Sequence, residues 1–382
     1  MPSPRHPGPD LADLRLRPGT PVLDRGGGQV QLGTDDRWAL VVDGLSDAEA
    51  RWLHHAASTR HVGLAASAGR HDVSADRQDR IARLLADCGF LVPPPATRLD
   101  VTATAAGAAD AAALGALRPD GAGQVTLARR AVRTVGVSGL GRLGASLVTH
   151  LAAAGVGTLL LDDTAPVQVT DLGAGPYRQT DVGGRRADRL HAALAEHRPR
   201  TRIRTVWPAD ATPDVVVVVR DHVVGIETSA RLMSAGVPHL AVTVVEAGIE
   251  LGPFVLPGTT ACLGCRHRRA ADDDDAWPRL ADQLRAWPGP APQETVLAAT
   301  AAALAAGMVT AHLDGTRPVA ADRLIHVRLP DAVPRLRDLP PHPRCGCTAD
   351  DGPAAGARAD PGAGARTDPA AGARATSRGA TT

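Results

Sequence analysis

Three glycines in a short loop, and two acidic residues that follow them, have the types and spacing of a phosphate-binding site. Gly139, Gly141 and Gly144 occur in the segment GLGRLG, and Asp162 and Asp163 come after it at the spacing of a nucleotide-binding fingerprint. Glycine lets the backbone approach a phosphate, and a helix that begins there offers unpaired N–H groups. A carboxylate at the later position accepts ribose hydroxyls. The pattern predicts a nucleotide site; the alternative is a tight turn that binds no ligand.

A further acid, Asp221, follows a run of five valines and Arg220. Such a run is typical of a strand that is buried on both faces, as the central strands of parallel sheets are. Ligands of open α/β sheets bind at the carboxyl ends of these strands, so Asp221 is a candidate ligand-binding residue. The neighbouring His222 is a candidate general base, although a histidine at a strand end is more often simply a polar residue.

Two close pairs of cysteines form the second set of residues with metal-binding chemistry. Cys262 and Cys265 form a CxxC motif, and Cys345 and Cys347 form a CxC motif far downstream. Two such pairs supply the four thiolates that a structural zinc ion prefers. The alternatives are a redox-active CxxC or accidental free thiols. The fifth cysteine, Cys88, lies at the end of a helix with an apolar face and is predicted to be a buried core residue.

The elements that must position these residues belong to an α/β fold. A short apolar strand precedes the glycine loop, and Leu143, Leu147 and Leu151 follow it at four-residue steps, as on one face of a helix. Residues 158–161 then predict a second buried strand. Strands and helices continue to alternate up to about residue 245, which predicts a doubly wound parallel sheet. An alanine-rich helix is expected from Gln293 to Leu313.

The N-terminal part of the chain has a different pattern. Short β-prone runs from Pro21 surround a triple-glycine turn, and residues 46–49 match a helix capping box. A second helix is expected from Ala75 to Cys88. Strands followed by helices over so short a length predict a small winged-helix-like α+β domain. The alternative is an extension that only shields one edge of the larger domain.

Composition excludes several classes of function. The formal net charge of +1 and the aromatic content of 2% argue against binding to nucleic acid or to a membrane surface. The sequence contains no lysine, which excludes Walker-type phosphate loops and Schiff-base chemistry. No apolar run is expected to cross a membrane, and the N-terminus lacks a signal-peptide core. A cytoplasmic location is therefore expected, where cysteines serve metal binding or catalysis more often than disulfides.

Together, GLGRLG, the LLLDD strand end, Asp221 and the paired cysteines resemble the ThiF/MoeB/HesA superfamily of ubiquitin-activating-enzyme-like adenylyltransferases. The resemblance covers roughly residues 132–347 and implies a Rossmann-like ThiF fold that binds ATP. It implies the following roles: ATP binding by Gly139, Gly141, Gly144 and Asp162, with Asp163 as a weaker companion; magnesium binding by Asp221; and phosphate contacts by the pair Arg178 and Gln179 and by Arg186. Members usually form homodimers, which implies the same here.

A narrower resemblance rests on the phrases ELGPFVLPGTTACLGC, AWPRLADQL and HPRCGC and on the front segment GGGQVQLGTDDRWALVVDGL. They look like actinobacterial ThiF-family proteins that bind precursor leader peptides in azole-peptide (TOMM) biosynthesis. The resemblance implies that the winged-helix-like module binds a leader as a strand added to its sheet edge.

The resemblance predicts this organisation: a flexible N-terminus (1–20), a winged-helix-like peptide-recognition module (21–95), a linker (96–130), a ThiF-type nucleotide-binding domain with a zinc staple (131–347) and a disordered tail (348–382).

The sequence departs from the superfamily pattern near the expected phosphates. Asp171 stands where the family has an asparagine, and Arg186 stands where it has a lysine. Arg129, Arg130 and Arg133 are the nearby candidates for an N-terminal arginine finger. If four cysteines bind zinc, none is left in this domain for a thioester intermediate.

The main hypothesis is ATP-dependent adenylylation of a carboxylate on a peptide or small carrier protein. The alternative is a non-catalytic scaffold that presents a precursor peptide to a partner modifying enzyme; Asp171 and Arg186 favour it, whereas the glycine loop, Asp162 and Asp221 favour the enzyme. A nicotinamide or flavin oxidoreductase shares only the glycine loop.

Overall fold

The computed structural model describes residues 11–59, 63–93, 105–197, 200–208 and 211–348, which lie in one compact unit. Residues 1–10 of the predicted flexible N-terminus and the predicted tail from residue 349 lie outside these residues. Residues 11–20 are described, and Leu14 and Leu16 among them are buried.

The N-terminal part, here called the front domain, combines short strands with three helices. Its elements are β1 (Arg15–Leu16), β2 (Val22–Gly26), β3 (Gln29–Leu32), β4 (Leu40–Val42), α1 (Asp47–Ser58), α2 (Leu64–Ala68), α3 (Ala75–Asp87) and β5 (Leu91–Val92). Strands β2, β3 and β4 form an antiparallel sheet, and β1 pairs with β5.

The front domain has its own core, built around Trp52. This side chain is fully buried, and its indole N–H donates to the Leu64 carbonyl at 3.1 Å and to the Ser67 hydroxyl at 3.0 Å. The predicted capping box is confirmed, since Ser46 accepts from the Glu49 N–H and Glu49 accepts from the Ser46 N–H. The prediction for Cys88 is wrong: it caps the C-terminus of α3 and is exposed, because the buried face of this helix ends at Leu85.

The predicted linker contains two helices, α4 (Ala105–Gly115) and α5 (Gly123–Arg130). The side chain of Arg17 in the front domain joins the end of α4 to the residues that follow α3, because its guanidinium donates to the carbonyls of Gly89, Gly115 and Arg118. Gly115 is the last residue of α4, and Gly89 and Arg118 lie after α3 and α4.

The large domain follows, with an eight-stranded sheet. Its elements are β6 (Thr134–Ser138), α6 (Arg142–Ala153), β7 (Thr158–Asp162), α7 (Arg186–His197), β8 (Arg202–Arg204), β9 (Val215–Asp221), α8 (Ile226–Ser234), β10 (His239–Val245), β11 (Gly248–Val255), α9 (Leu263–Asp273), α10 (Trp277–Ala286), α11 (Thr295–Leu313), β12 (Arg323–Arg328) and β13 (Arg335–Asp338). The strand order is β13-β12-β11-β10-β9-β6-β7-β8.

Five neighbouring strands, from β8 to β10, are parallel, as predicted, with helices on both faces. Val215, Val217 and Val219 of β9 pack into the core that contains α6 and α11, whereas Val216 and Val218 face the opposite side with α8 and α9. The valine run is therefore buried on both faces, which confirms the interpretation of this segment as a central strand.

The prediction of a parallel sheet missed three antiparallel strands at one end. Only two residues, Glu246 and Ala247, connect β10 to β11, and so short a connection can only form a hairpin, because a parallel pair requires a crossover. Strands β12 and β13 continue the antiparallel order. The sheet is therefore mixed, with parallel strands in the majority.

Helix α11 is long and apolar enough to span a membrane, with 19 residues and a mean hydropathy of 1.7 over its best window, contrary to the expectation of no such run. Half of that window is buried, and Ala301, Ala302 and Ala305 lie in the core against α6 and β11. The apolar composition of α11 is therefore explained by its position in the core.

Candidate nucleotide site and cysteine cluster

The glycine loop connects β6 to α6 with almost no free space around its backbone. Gly139 has φ +94°, and a Cβ there would lie 2.3 Å from the Val219 carbonyl oxygen; a Cβ on Gly144 would lie 2.0 Å from the Gly139 carbonyl oxygen. Neither position accepts a side chain without displacing backbone. The loop is therefore a bare backbone cradle that ends at the N-terminus of a 12-residue helix.

This loop borders a cavity of about 660 Å³ at the carboxyl ends of β6, β7 and β9. β7 and β8 lie on one side of β6, and β9 and β10 lie on the other, so the strand order reverses at β6. Open α/β sheets bind ligands at such a reversal. The residues that line it include Ser138, Gly139, Gly141, Arg142, Gly144, Asp162, Asp163, Asp171, Arg186, Arg220, Asp221 and Gln293. The structure thus brings together the three glycines and four of the predicted charged residues.

The two acids after β7 differ in their partners. Asp162 is exposed and accepts one hydrogen bond, from the Ser138 hydroxyl at 2.8 Å, on Oδ2. Asp163 accepts from the backbone N–H groups of Leu140 at 2.7 Å and Ala165 at 2.9 Å. Asp162 is therefore placed for a ligand, whereas Asp163 mainly fixes the glycine loop.

Arg186 lies between two carboxylates. Its guanidinium makes a bidentate pair with Asp171, at 2.8 and 2.9 Å, and a longer contact of 3.3 Å with Asp163. Asp171 is only 5% exposed, so its charge needs this partner. The two departures from the family pattern therefore compensate each other, because the carboxylate at 171 pairs with the bidentate guanidinium at 186.

Asp221 ends β9 and lines the cavity from the side opposite Asp162. Burial raises the pKa of its carboxyl group, and a hydrogen bond from the Ala291 backbone opposes that shift. His222 has φ +63°, and its Nε2 lies 3.0 Å from the Gly289 carbonyl oxygen, so Nε2–H is a donor there. That bond gives His222 a structural role, and it does not line the cavity.

Arg178 and Gln179 are exposed in a short 3-10 turn and do not line the cavity. The geometry gives no support to their predicted contact with phosphates, which stays a prediction.

Sequence reasoning missed several polar residues that line the cavity, among them Arg220, Arg142 and Gln293. Arg220 donates to the carbonyls of Ser138 and Val219 at 3.0 and 2.8 Å and to the Ser138 hydroxyl at 2.8 Å. Arg142 donates to the carbonyls of Thr170 and Gln293, and the Leu143 N–H donates to the side-chain oxygen of Gln293. The positions of the two arginines, beside Asp221 and inside the glycine loop, could have indicated them, whereas Gln293 carries no local signal.

Gln293 ends a proline-rich segment, residues 288–293 (PGPAPQ), which we call the strap. It connects α10 to α11, and its last four residues line the cavity.

The four predicted cysteine ligands converge. The Sγ atoms of Cys262, Cys265, Cys345 and Cys347 all lie within 4.8 Å of one another, with Cys262 to Cys345 at 3.7 Å and Cys265 to Cys347 at 3.3 Å. Sulfur atoms around a tetrahedral zinc ion are separated by about 3.8 Å, given the usual Zn–S bond length. The cluster therefore fits a four-thiolate metal site.

The surroundings of the cluster favour the ionised form of one thiol, that of Cys265, whereas the hydrogen bond to Cys265 raises the pKa of Cys262 and burial raises the pKa of Cys347. The pKa of Cys265 is lowered, first by a hydrogen bond from the Cys262 thiol and also by the His342 backbone N–H, which lies 3.2 Å from its Sγ. Arg268 approaches the Cys345 sulfur at 3.5 Å. Such donors to the sulfur atoms are the usual second layer of a metal-thiolate site.

Comparisons with known proteins agree with this geometry. The model of the ThiF family matches residues 118–347. Among solved structures, Escherichia coli MccB with succinimide is 16% identical, with a TM-score of 0.68, and the match covers 88% of this chain and 99% of that chain. MccB with AMPCPP and MccA is 17% identical, with the same coverage and a TM-score of 0.67.

PaaA is 14% identical, with a TM-score of 0.64, and the match covers 84% of this chain and 98% of that chain. At these identities the likeness to MccB and PaaA concerns the fold, and it extends over the front domain as well as the large domain. A comparison of the sequence with curated proteins found no match.

Proposed function

Because this chain belongs to the ThiF family, we propose that it is an adenylyltransferase that uses ATP and magnesium to activate a carboxylate on a peptide or small carrier protein. One observation carries the proposal: a single cavity joins the glycine loop, the N-terminus of α6, Asp162 and Asp221. Among the similar structures, MccB has been solved with ATP and with AMPCPP and MccA, which supports the same ligand class here.

The cavity fits a nucleotide in size and chemistry. Its volume lies within the usual range for small-molecule sites, and close backbone packing at Gly139 and Gly144 keeps the loop that borders it free of side chains at these two positions. The exposed carboxylate of Asp162 would accept the ribose hydroxyls. Asp221 offers the hard oxygen ligand that magnesium prefers.

In the proposed reaction, a carboxylate oxygen of the substrate attacks the α-phosphorus of ATP. The bond between that phosphorus and the bridging oxygen of the β-phosphate breaks, and pyrophosphate leaves with the bonding electrons. The N–H groups of the glycine loop and of α6 would bind the phosphate oxygens, and Arg186 would face them with Asp171 and Asp163 fixing its orientation. Magnesium would offset negative charge on the leaving group. Catalysis is then positioning and electrostatic stabilisation, with no general base required.

We propose zinc as the metal of the cysteine cluster. Bound there, it would join the start of α9 to residues 345–347, which lie beyond the last strand, so its role is structural. A cytoplasmic location is part of the same proposal, because reducing conditions keep the four thiols available. Metal analysis of unchelated protein should find about one zinc ion per chain; well under that amount would remove the proposal.

The front domain is the proposed site for the leader part of the substrate. Strands β2 and β4 are the outer strands of its sheet, and Leu23 and Val41 on them are exposed, as Trp38 is just before β4. An extended peptide paired with such an edge gains backbone hydrogen bonds and contacts with these side chains. MccB solved with N-formylated MccA provides a parallel among the similar structures. We also propose that the chain acts with a partner modifying enzyme and forms a homodimer. Sedimentation that finds only monomer at micromolar concentration would contradict the homodimer.

The proposal is tested by titration calorimetry of zinc-loaded protein with ATP and magnesium, beside Asp162→Ala and Asp221→Ala. We expect micromolar binding by the wild type and weaker binding by both variants. Exchange of labelled pyrophosphate into ATP with candidate peptides follows. A folded wild type and a folded Gln293→Ala variant that both fail to bind ATP would favour the non-catalytic scaffold.

A further inference from the structure

The strap contacts a group that the proposed nucleotide would need. The side-chain Oε1 of Gln293 accepts the Leu143 N–H at 3.1 Å, at the N-terminus of α6. Both residues of this contact lie at the cavity or directly beside a residue that lines it.

This contact carries the electrical sign of the ligand expected at that position. An amide oxygen, with partial negative charge, lies where a helix N-terminus attracts a phosphate oxygen. The strap therefore places a neutral group where a phosphate would bind.

The strap sequence explains how so short a segment keeps this arrangement. Prolines at 288, 290 and 292 fix φ and reduce the entropy lost when the segment is ordered. Two residues between and after them supply polar contacts: Gly289 to His222 and Gln293 to Leu143.

A second bond fastens the same end of the strap to the glycine loop. The guanidinium of Arg142 donates to the Gln293 carbonyl at 2.6 Å and to the Thr295 hydroxyl at 3.2 Å. The backbone carbonyl and the side chain of Gln293 are thus both bonded to the glycine loop, which holds this end of the strap at the cavity wall. These bonds are neutral or singly charged, and a triphosphate with magnesium offers stronger charge-assisted bonds to the same groups.

We propose that the strap is an intramolecular competitor of the nucleotide, in which Gln293 occupies a phosphate position until magnesium–ATP displaces it. This inference rests on the proposed function, since it assumes that the cavity binds ATP. It makes Gln293 a determinant of nucleotide affinity, and it couples nucleotide binding to movement of the segment between α10 and α11.

The test is the dissociation constant for magnesium–ATP of the wild type, Gln293→Ala and Gln293→Glu, with Gln283→Ala as control. Gln283 is an exposed residue of α10 outside the cavity. Loss of one competing hydrogen bond should lower the dissociation constant of Gln293→Ala about two- to tenfold. Gln293→Glu should raise it, because a carboxylate binds the helix N-terminus better and repels the phosphates. Gln283→Ala should match the wild type.

A second readout does not depend on affinity. Trp287 is 64% exposed beside the strap, and a Cβ on Gly289 would lie 3.4 Å from its indole nitrogen. Magnesium–ATP should increase amide hydrogen exchange in residues 288–293 and change Trp287 fluorescence in the wild type, with the control signal taken from a Trp287→Phe variant.

The outcomes separate the two claims. Tighter binding by Gln293→Ala together with faster exchange in the strap supports competition, as does ATP binding that appears only in this variant. Weaker binding by Gln293→Ala would identify Gln293 as a nucleotide ligand and overturn the proposal. Equal affinity in all variants, with unchanged exchange, would overturn it while leaving the ATP site intact. No binding by the wild type or by Gln293→Ala would remove both the proposal and the proposed function.

Discussion

The nucleotide cavity and the cysteine cluster are both assembled from distant parts of the chain, but they hold their ligand groups differently. In the cavity, Asp162, Asp163 and Arg186 each bond to protein partners on one side and face open space on the other. In the cluster, Cys262 and Cys265 are buried, and all four sulfur atoms face one another. The first arrangement suits a ligand that exchanges, and the second suits an ion that stays.

The strap sharpens this contrast. It lines the cavity and bonds to the Leu143 N–H, a contact that a ligand can replace. The segment that carries Cys345 and Cys347 is held instead to the domain through the thiols themselves, supported by a bond from the His342 N–H to the Cys265 sulfur. A closed metal site adds stability, whereas an active site must release its product.

The largest effect should come from breaking the cysteine cluster. Cys265→Ser should abolish zinc binding and lower the midpoint of thermal unfolding by on the order of 10 °C, because loss of a structural metal is among the most destabilising changes. Calorimetry and metal analysis measure both quantities. Cys88→Ser is the matched control, since this thiol is exposed and far from the cluster in sequence. Equal stability of the two variants would show that the cluster does not hold a structural metal.

The next effect should appear in the cavity without a change of fold. Asp221→Asn keeps the size of the side chain and removes the charge proposed to bind magnesium, so pyrophosphate exchange should fall by roughly 100- to 1000-fold. Zinc content should be unchanged, because the cluster is a separate site. Full exchange activity in this variant would remove Asp221 from the mechanism.

A smaller effect on ATP affinity is expected from a substitution in the glycine loop itself. Gly144→Ala places a methyl group 2.0 Å from the Gly139 carbonyl oxygen, so the loop must shift and ATP affinity should fall about tenfold or more. The control is Gly307→Ala in α11, where a Cβ meets nothing within 4 Å and alanine should stabilise the helix by about 0.5–1 kcal/mol. Titration calorimetry and thermal unfolding of both variants provide the comparison. Normal ATP affinity in Gly144→Ala would show that the close approach of the loop is not required.

The smallest predicted effect is a pH dependence of stability. Burial raises the pKa of Asp221 in the folded protein, so the folded state keeps this proton to a higher pH than the unfolded chain does. Stability from this group is therefore present at low pH and is lost as the pH rises through the raised pKa. The thermal unfolding midpoint of Asp221→Asn should therefore rise relative to that of the wild type as the pH increases through this range. A constant difference between pH 4 and 8 would argue against the burial effect.

Short sequence patterns correctly predicted the elements that depend on interactions between neighbouring residues. The glycine spacing, the valine run and the capping box each describe a few neighbouring residues, and each element formed as expected. The two cysteine pairs could also be predicted to meet, because together they supply the four thiolates that a structural zinc ion prefers. Their convergence across more than 80 positions needed no knowledge of the intervening chain.

Contacts set by tertiary packing left no such local pattern. Gln293 meets Leu143 only because α11 packs against α6, which brings residues 150 positions apart to one helix end. The compensation between Asp171 and Arg186 was likewise invisible, since each looked like an isolated departure from the family pattern until the bidentate pair was seen. Arg178 and Gln179 are a different case: the motif was recognised, but both residues are exposed and do not line the cavity, so their contact with phosphates stays a prediction.

The most direct test of the central claim is a crystal structure of the zinc-loaded protein with AMPCPP and magnesium. We expect a triphosphate bound at the glycine loop and the N-terminus of α6, with a magnesium ion bound to Asp221 and the ribose hydroxyls bonded to Asp162. The strap should be displaced from Leu143. AMPCPP bound elsewhere, or absent at millimolar concentration with the cavity accessible to solvent, would contradict this claim.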